Sequence, residues 1–215
     1  MDKIRTLLFT GGEIHDYKGV GRELYEALSE DGRFEITHVE DDLSALEAPK
    51  LDPYEVIVFF YTVGEISDSQ KNGLLNFVAS GRGYVGVHSA ADSFRNCPEY
   101  RAMVGGYFVT HPHFRRYQVS VADPEHPVMR GLPEEFFVED EQYILDYDPR
   151  VHVLASALWK GCAMPVAWVK PWGEGRVCYI ALGHCPESCR DENFKKMLRQ
   201  GTAWAAKGDA AEASV

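Results

Sequence analysis

No stretch of the chain approaches the roughly 20 consecutive apolar residues that cross a bilayer, and the first apolar run, Leu7-Leu8-Phe9, stops at Gly11-Gly12, too short for the core of a signal peptide. Neither a membrane-spanning helix nor secretion is expected. Cysteine is sparse: five residues, odd in number and irregularly spaced, do not read as a disulfide framework. Reduced thiols in a cytoplasmic protein are the expectation. Positive charge is also in deficit, with 22 basic against 33 acidic residues and a formal charge of −11, so there is no basic field to hold a phosphate backbone. The pairs Arg115-Arg116 and Lys195-Lys196 read as solvated faces. Nucleic acid is not an expected partner. Repeats and internal linkers are missing too, so residues 1–207 are expected to form one domain, followed by a small polar tail, 208–215, expected to be disordered.

What is present is core. The 215 residues are 45% apolar, enough to bury a precise polar site without covalent staples. Continuous apolar runs at Ile4–Phe9, Val56–Tyr61 and Tyr84–Val87, with a weaker one at Phe34–Val39, read as buried strands. Between them, Gly19–Ser29 and Gln70–Ser80 carry apolar residues at helical spacing, the second with Ser67 as N-cap and Gly81 as its stop. Strands that are apolar throughout need cover on both faces, which predicts an open, mostly parallel α/β sheet with helices on each side. Later runs at Tyr117–Val121, Phe136–Val138, His152–Ala155, Pro165–Val169 and Arg176–Leu182 are separated by turn signals and predict antiparallel additions, closed by a helix over Asn193–Ala206.

In such a sheet, ligands bind beyond the carboxyl ends of the strands. His15-Asp16, Tyr61-Thr62, His88-Ser89 and His184 all fall there. The segment Gly86-Val87-His88-Ser89-Ala90 runs from a strand into small residues and an expected helix, the layout and G-x-S-x-G spacing of a nucleophile elbow, but with His88 at its centre. A histidine there serves as general base or metal ligand, with Ser89 as a fallback nucleophile. His184 follows a strand end and a glycine, with Glu187 as a possible orienting partner; Cys185 and Cys189 have the wrong spacing for an ordinary zinc site. His111 and His113 stand at i, i+2 in an extended segment and can face one ligand. Asp140-Glu141 with Tyr143 offers a carboxylate whose burial would raise its pKa, the alternative being a solvated acidic loop. His38, His126 and His152 read as framework histidines.

These residues together resemble one family. Gly11-Gly12 with His15-Asp16-Tyr17, Gly86 through Asp92, Gly105-Gly106 with His111-Pro112, His126-Pro127, Asp140-Glu141-Gln142-Tyr143, and Gly175 through His184 are similar to the ThuA-like, or trehalose-utilisation, family over residues 4 to 206. The resemblance implies a flavodoxin-like fold of the class I glutamine amidotransferase type. It also places His88 at the position of that superfamily's nucleophilic cysteine and His184 at its triad histidine, so glutamine hydrolysis is not expected. The family is associated with catabolism of disaccharides, with keto-sugars as candidate intermediates. Cys185 departs from relatives that carry an acid after the late histidine.

The expectation is an enzyme of carbohydrate metabolism acting on a sugar or keto-sugar, with His88, His184 and Glu141 catalytic and His15, Asp16, Tyr17, Tyr61, Ser89, His111 and His113 lining the substrate. Tyr17, Tyr61, Phe94 and Trp168 are candidates to stack on a sugar ring. A divalent ion, zinc or similar, is a candidate cofactor, with His15, His88, His111 and His184 as its candidate ligands. The alternative is a non-catalytic sugar-binding or regulatory domain on an amidotransferase-like scaffold. The expected partner is a small carbohydrate, and a homo-oligomer is possible.

Overall fold

A computed structural model describes residues 3–206; the tail expected over 208–215 lies outside the described residues. In chain order the elements are β1 (Ile4–Gly12), α1 (Tyr17–Ser29), β2 (Phe34–Glu40), α2 (Ala48–Leu51), β3 (Val56–Thr62), α3 (Asp68–Ala79), β4 (Gly83–Val87), α4 (Pro98–Val104), β5 (Gly106–Thr110), β6 (Arg115–Val121), β7 (Glu135–Asp140), β8 (Ile144–Tyr147), β9 (His152–Trp159), β10 (Cys162–Trp172), β11 (Gly175–Ile180), α5 (Pro186–Cys189) and α6 (Glu192–Ala205). The main sheet runs β2-β1-β3-β4-β11-β10-β9-β6-β7. Its first five strands are parallel and the last four antiparallel. The α/β class, the mostly parallel core with helices on both faces and the later antiparallel strands are as the sequence predicts.

The apolar runs are continuous because alternate side chains feed two cores. Along β3, Val56, Val58 and Phe60 enter one core, shared with α1 and α6, while Ile57, Phe59 and Tyr61 enter the other, under α3 and α4. Period-two geometry then requires every position to be apolar. Helix α3 carries the full capping box, Ser67 accepting from Gln70 N–H while the Gln70 side chain accepts from Ser67 N–H.

Two features escape the sequence reading. Helix α4 and the small β5-β8 sheet sit over the second core. The segment after β4 is a 3₁₀ turn, His88–Asp92, rather than an ordinary helix.

The antiparallel half also curls. Four strand steps separate β11 from β7, about 19 Å in a flat sheet, yet Gly183 N–H, just past β11, donates to Asp140 Oδ2 at the end of β7 over 2.7 Å. Register shifts in β10 between Pro165 and Ala167 and between Ala167 and Trp168 supply local bends of the kind that closes a sheet on itself. The end of the far edge strand is thereby laid across the carboxyl ends of the parallel strands.

Candidate functional site

Five segments converge where that edge closes. His15 comes from the turn after β1, Thr62 from the end of β3, His88 from the end of β4, Glu141 from the end of β7 and His184 from the loop after β11. One ligand atom each from His15, His88, Glu141 and His184 lies within 4.8 Å of the others. His88 is fully buried and held in the left-handed region at φ +41°, and Gly183 beside His184 has φ +98°. For the histidine this is strained backbone, which persists only where the surroundings impose it, while the glycine adopts its φ freely.

Each ring is oriented from behind. His88 Nδ1 lies 2.7 Å from the Ala181 carbonyl, so it carries the proton and donates, leaving the Nε2 lone pair aimed into the cluster. The ring rests on Tyr143 at 3.8 Å between centroids, and Tyr143 in turn on Phe108. His15 Nδ1 is 2.7 Å from Thr62 Oγ1, which fixes that ring by the same device. Asp140, buried, accepts from three backbone N–H groups, those of Glu141 (2.8 Å), Gly183 (2.7 Å) and His184 (3.2 Å), and so pins two of the converging segments to one carboxylate.

The inner triangle has sides that metal chemistry recognises. His184 Nδ1 is 3.2 Å from Glu141 Oε2 and 3.3 Å from His88 Nε2, and His88 Nε2 is 3.6 Å from Glu141 Oε2. Ligands at about 2.0–2.1 Å around a tetrahedral ion stand about 3.3–3.4 Å apart. Two histidines and a carboxylate at that spacing, with the half-buried His15 beside them, form a donor set that fits a divalent ion of the zinc type.

The charges divide accordingly. Burial, then the neighbouring His88 and His184, push the His15 pKa down to about 3, leaving a neutral imidazole. Burial works against ionising Glu141, but hydrogen bonds and charge from His184 and His88 outweigh it and hold the group well below the usual carboxylate range. Burial likewise disfavours charge on His184, and Glu141 with Asp140 behind it overrides this and raises its pKa. The raised carboxyl is Asp140, lifted by burial. The acidic segment is therefore not a solvated loop, since Asp140, Glu141, Gln142 and Tyr143 are all buried. The acid that burial lifts is the one bound to backbone, while Glu141 stays a carboxylate.

The other predicted site residues are placed unevenly. His111 Nδ1 reaches Glu141 Oε1 at 2.8 Å, at the rim, outside the tightest cluster. His113 is exposed, with no hydrogen bond to the cluster among the described residues. Asp16 caps α1 by accepting from Gly19 N–H. Tyr17 lies against the first core and Tyr61 is buried in the second, among Phe9, Phe59 and Phe94. Phe94 and Trp168 are fully buried, and Trp168 donates to the Val104 carbonyl, so neither is open to stack on a sugar. Ser89 Oγ is buried and, among the described residues, meets no hydrogen-bond partner and so no base to activate it, which removes support for the serine-hydrolase reading. Glu187 is exposed, and the carboxylate that meets His184 is Glu141. Cys185 contacts Ser188 and Cys189 contacts the Gly183 carbonyl; neither joins the cluster. Thr62, expected at the ligand-binding edge without a stated role, supports His15, and one residue was overlooked: Phe114, 48% exposed with its ring 6.1 Å from that of His184. Phe114 was visible as an apolar residue in the polar run His111–Arg116.

A model of the ThuA family, described as trehalose utilisation, matches residues 5–205. The chain belongs to the ThuA family. Among solved structures, a ThuA-like protein of Parabacteroides merdae superposes on this ThuA-family chain with a TM-score of 0.89 at 22% identity, covering 99% of this chain and 93% of that one. A second, from Bacteroides uniformis, gives 0.80 at 21% identity over 95% and 91%. A cytoplasmic protein of Salmonella typhimurium gives 0.69 at 14% identity over 93% and 99%. At these identities the likeness is one of fold. No curated protein matches the sequence of this ThuA-family member.

Proposed function

We propose that this ThuA-family protein is a carbohydrate-metabolism enzyme that moves a proton on a sugar or keto-sugar at the His15, His88, Glu141, His184 cluster. The observation that carries the reading is the triangle of His88 Nε2, Glu141 Oε2 and His184 Nδ1, with sides of 3.2–3.6 Å. A neutral sugar can be bound by hydroxyl-matching amides and aromatics; four buried or half-buried ionisable groups at one point are the equipment of acid/base work. A divalent ion held by these residues would polarise a carbonyl oxygen and stabilise charge that develops on it.

The chain's own residues supply the rest. With no ion on it, the Nε2 lone pair of His88, held inward by the Ala181 carbonyl, is placed to accept the proton on carbon next to a carbonyl; with an ion held there that lone pair would be a ligand, and neutral His15 is the base left beside it. Glu141 holds His184 and His111 on its two oxygens and keeps both in reach of substrate oxygens. His15, neutral near pH 7, is a hydrogen-bond donor or lone-pair donor and not a charge. Phe114 at the rim offers a face to the apolar side of a sugar ring. A small-molecule carbohydrate is the partner in this reading, and a cytoplasmic location follows the Salmonella relative.

The test is elemental mass spectrometry on protein purified without chelator or metal column, followed by incubation with keto-sugars in deuterated water. Stoichiometric zinc, manganese or iron that is lost on combining His88→Ala with His184→Ala, together with deuterium incorporated next to the carbonyl, is the expected result. Sugar binding with no exchange in either metal-loaded or metal-free protein would leave the sugar-binding alternative and overturn the catalytic one.

A further inference from the structure

Side chains from two other elements grip the 3₁₀ turn His88–Asp92. Such turns are short and their own hydrogen bonds are poorly aligned, and this one begins on a histidine held at φ +41°, where a Cβ is crowded by its own backbone. Tyr179 of β11 donates its hydroxyl to the His88 carbonyl over 2.8 Å. Tyr100 of α4 donates to the Ala90 carbonyl, also over 2.8 Å, with Tyr84 behind it at 2.7 Å between hydroxyls.

The Tyr179 contact has a companion on the same strand. Ala181 directly follows β11, two residues on from Tyr179, and residues two apart in an extended chain face the same side. Both belong to the second core. From that side the Tyr179 hydroxyl holds the His88 carbonyl, and the Ala181 carbonyl holds the His88 ring at Nδ1, 2.7 Å away. Backbone and ring of one residue are thus fixed by neighbouring positions of one element. Gly86 leaves room for this: it pairs with Tyr179 across β4 and β11, and a Cβ there would stand 3.2 Å from Tyr179 Cδ2 and 3.0 Å from Tyr84 Cε1. The Tyr179 ring is fully buried and packs on Trp168 at 4.3 Å between centroids. Burial pushes its pKa well above the usual phenol range, so the hydroxyl stays a donor.

We propose that Tyr179 is a positioning residue that sets which imidazole nitrogen of His88 faces the cluster. The left-handed backbone at His88 brings Nδ1 to the Ala181 carbonyl, and the Tyr179 hydroxyl opposes its relaxation toward an ordinary right-handed turn. With Nδ1–H engaged, Nε2 faces His184 Nδ1 and Glu141 Oε2 at 3.3 and 3.6 Å as a lone pair. Once the ring is released, a neutral imidazole carries its proton on either nitrogen. An Nε2–H in that place would close the lone pair to a substrate proton and to an ion alike. The consequence rests on the acid/base reading of the cluster, whereas the tautomer is a property of the chain alone.

The experiment is heteronuclear NMR of metal-free, full-length protein labelled at its histidine ring nitrogens, at a mildly alkaline pH where imidazoles are neutral, beside dye competition for zinc. The His88 signals are assigned by their loss in His88→Ala. The parent is expected to show one His88 tautomer, with the proton on Nδ1. Tyr179→Phe keeps the ring and removes the hydroxyl; a mixture of both tautomers is expected, with zinc affinity about tenfold lower. Tyr100→Phe removes a hydroxyl from the same turn at Ala90 and is expected to leave the tautomer and the zinc affinity as in the parent. Gly86→Ala, which crowds the Tyr179 ring, takes the place of Tyr179→Phe if that protein does not fold, with the same expected shift. A single Nδ1–H tautomer in the folded variant overturns the proposal. Equal changes in Tyr100→Phe overturn it too, since the turn would then be supported as a whole and not at His88. A tautomer shift in protein that exchanges no keto-sugar proton supports the positioning role and counts against the catalytic reading alone.

Discussion

Asp140→Asn offers the sharpest test of how the candidate site is held. The carboxylate accepts three backbone N–H groups: Oδ1 takes those of Glu141 and His184, and Oδ2 takes that of Gly183. In the best rotamer of the substituted amide, its oxygen keeps the first two and its NH₂ faces the Gly183 N–H. One buried donor is then left without an acceptor, at a cost of about 1–3 kcal/mol, and the two surviving bonds lose their charge assistance. Burial already disfavours the Asp140 charge, so removing that charge returns part of the loss. The net is a destabilisation of about 2–3 kcal/mol, or about 4–10 °C in melting temperature for a chain of this length. Asp140 also fixes the backbone of two cluster residues, so zinc affinity falls about 10–100-fold, as for other outer supports of a metal ligand. Thermal unfolding by calorimetry and competition with a chelating dye read the two effects separately. Glu141→Gln is the control: Glu141 accepts no backbone donor, so metal affinity drops while the melting temperature stays within about 2 °C. An Asp140→Asn protein that melts with the parent and keeps its zinc affinity would refute this account of how the two segments are joined.

Three further outcomes are expected. His184→Ala lowers zinc affinity by about 100-fold or more while circular dichroism is unchanged, measured by the same dye competition. On the proposed sugar reading, Phe114→Ala weakens sugar binding about fivefold, roughly 1 kcal/mol, without altering metal content, because the ring is exposed and carries none of the fold's core. Ile14, 75% exposed at φ +77°, is a β-branched residue in the left-handed region, so Ile14→Asn raises stability by about 1 kcal/mol in urea denaturation; no gain would mean that the turn before His15 is unstrained.

The parallel half was readable because its strands are apolar at every position, and that pattern has one cheap structural solution, a sheet covered on both faces. The histidines at strand ends followed from it, since a polar residue directly after a buried strand emerges at the ligand-binding edge. Glu141 was readable as a candidate, but not its state: whether a carboxylate beside Phe136 and Phe137 is lifted or lowered depends on which groups meet it, and three of them arrive from residues 88, 111 and 184. Trp168 was misplaced for a geometric reason. The register shifts in β10 set which of its residues face the second core, and composition carries no trace of a bulge. Phe114 was passed over because an exposed phenylalanine gains meaning only when a loop brings it beside a histidine 70 residues further along the chain.

The curl of the antiparallel half has a consequence for folding. His15 and His184 stand near opposite ends of the chain, and Glu141 reaches them only after strands β6, β7, β9 and β10 have been laid down and bent. No fragment contains the cluster, and no partly folded state that lacks the β7 to β11 closure can present it. An ion or substrate held there binds the finished protein alone, and by mass action draws the whole chain toward the native state. Ligand occupancy thus reports on completion of the fold, and the first and last strands become thermodynamically coupled through a site that neither could build by itself.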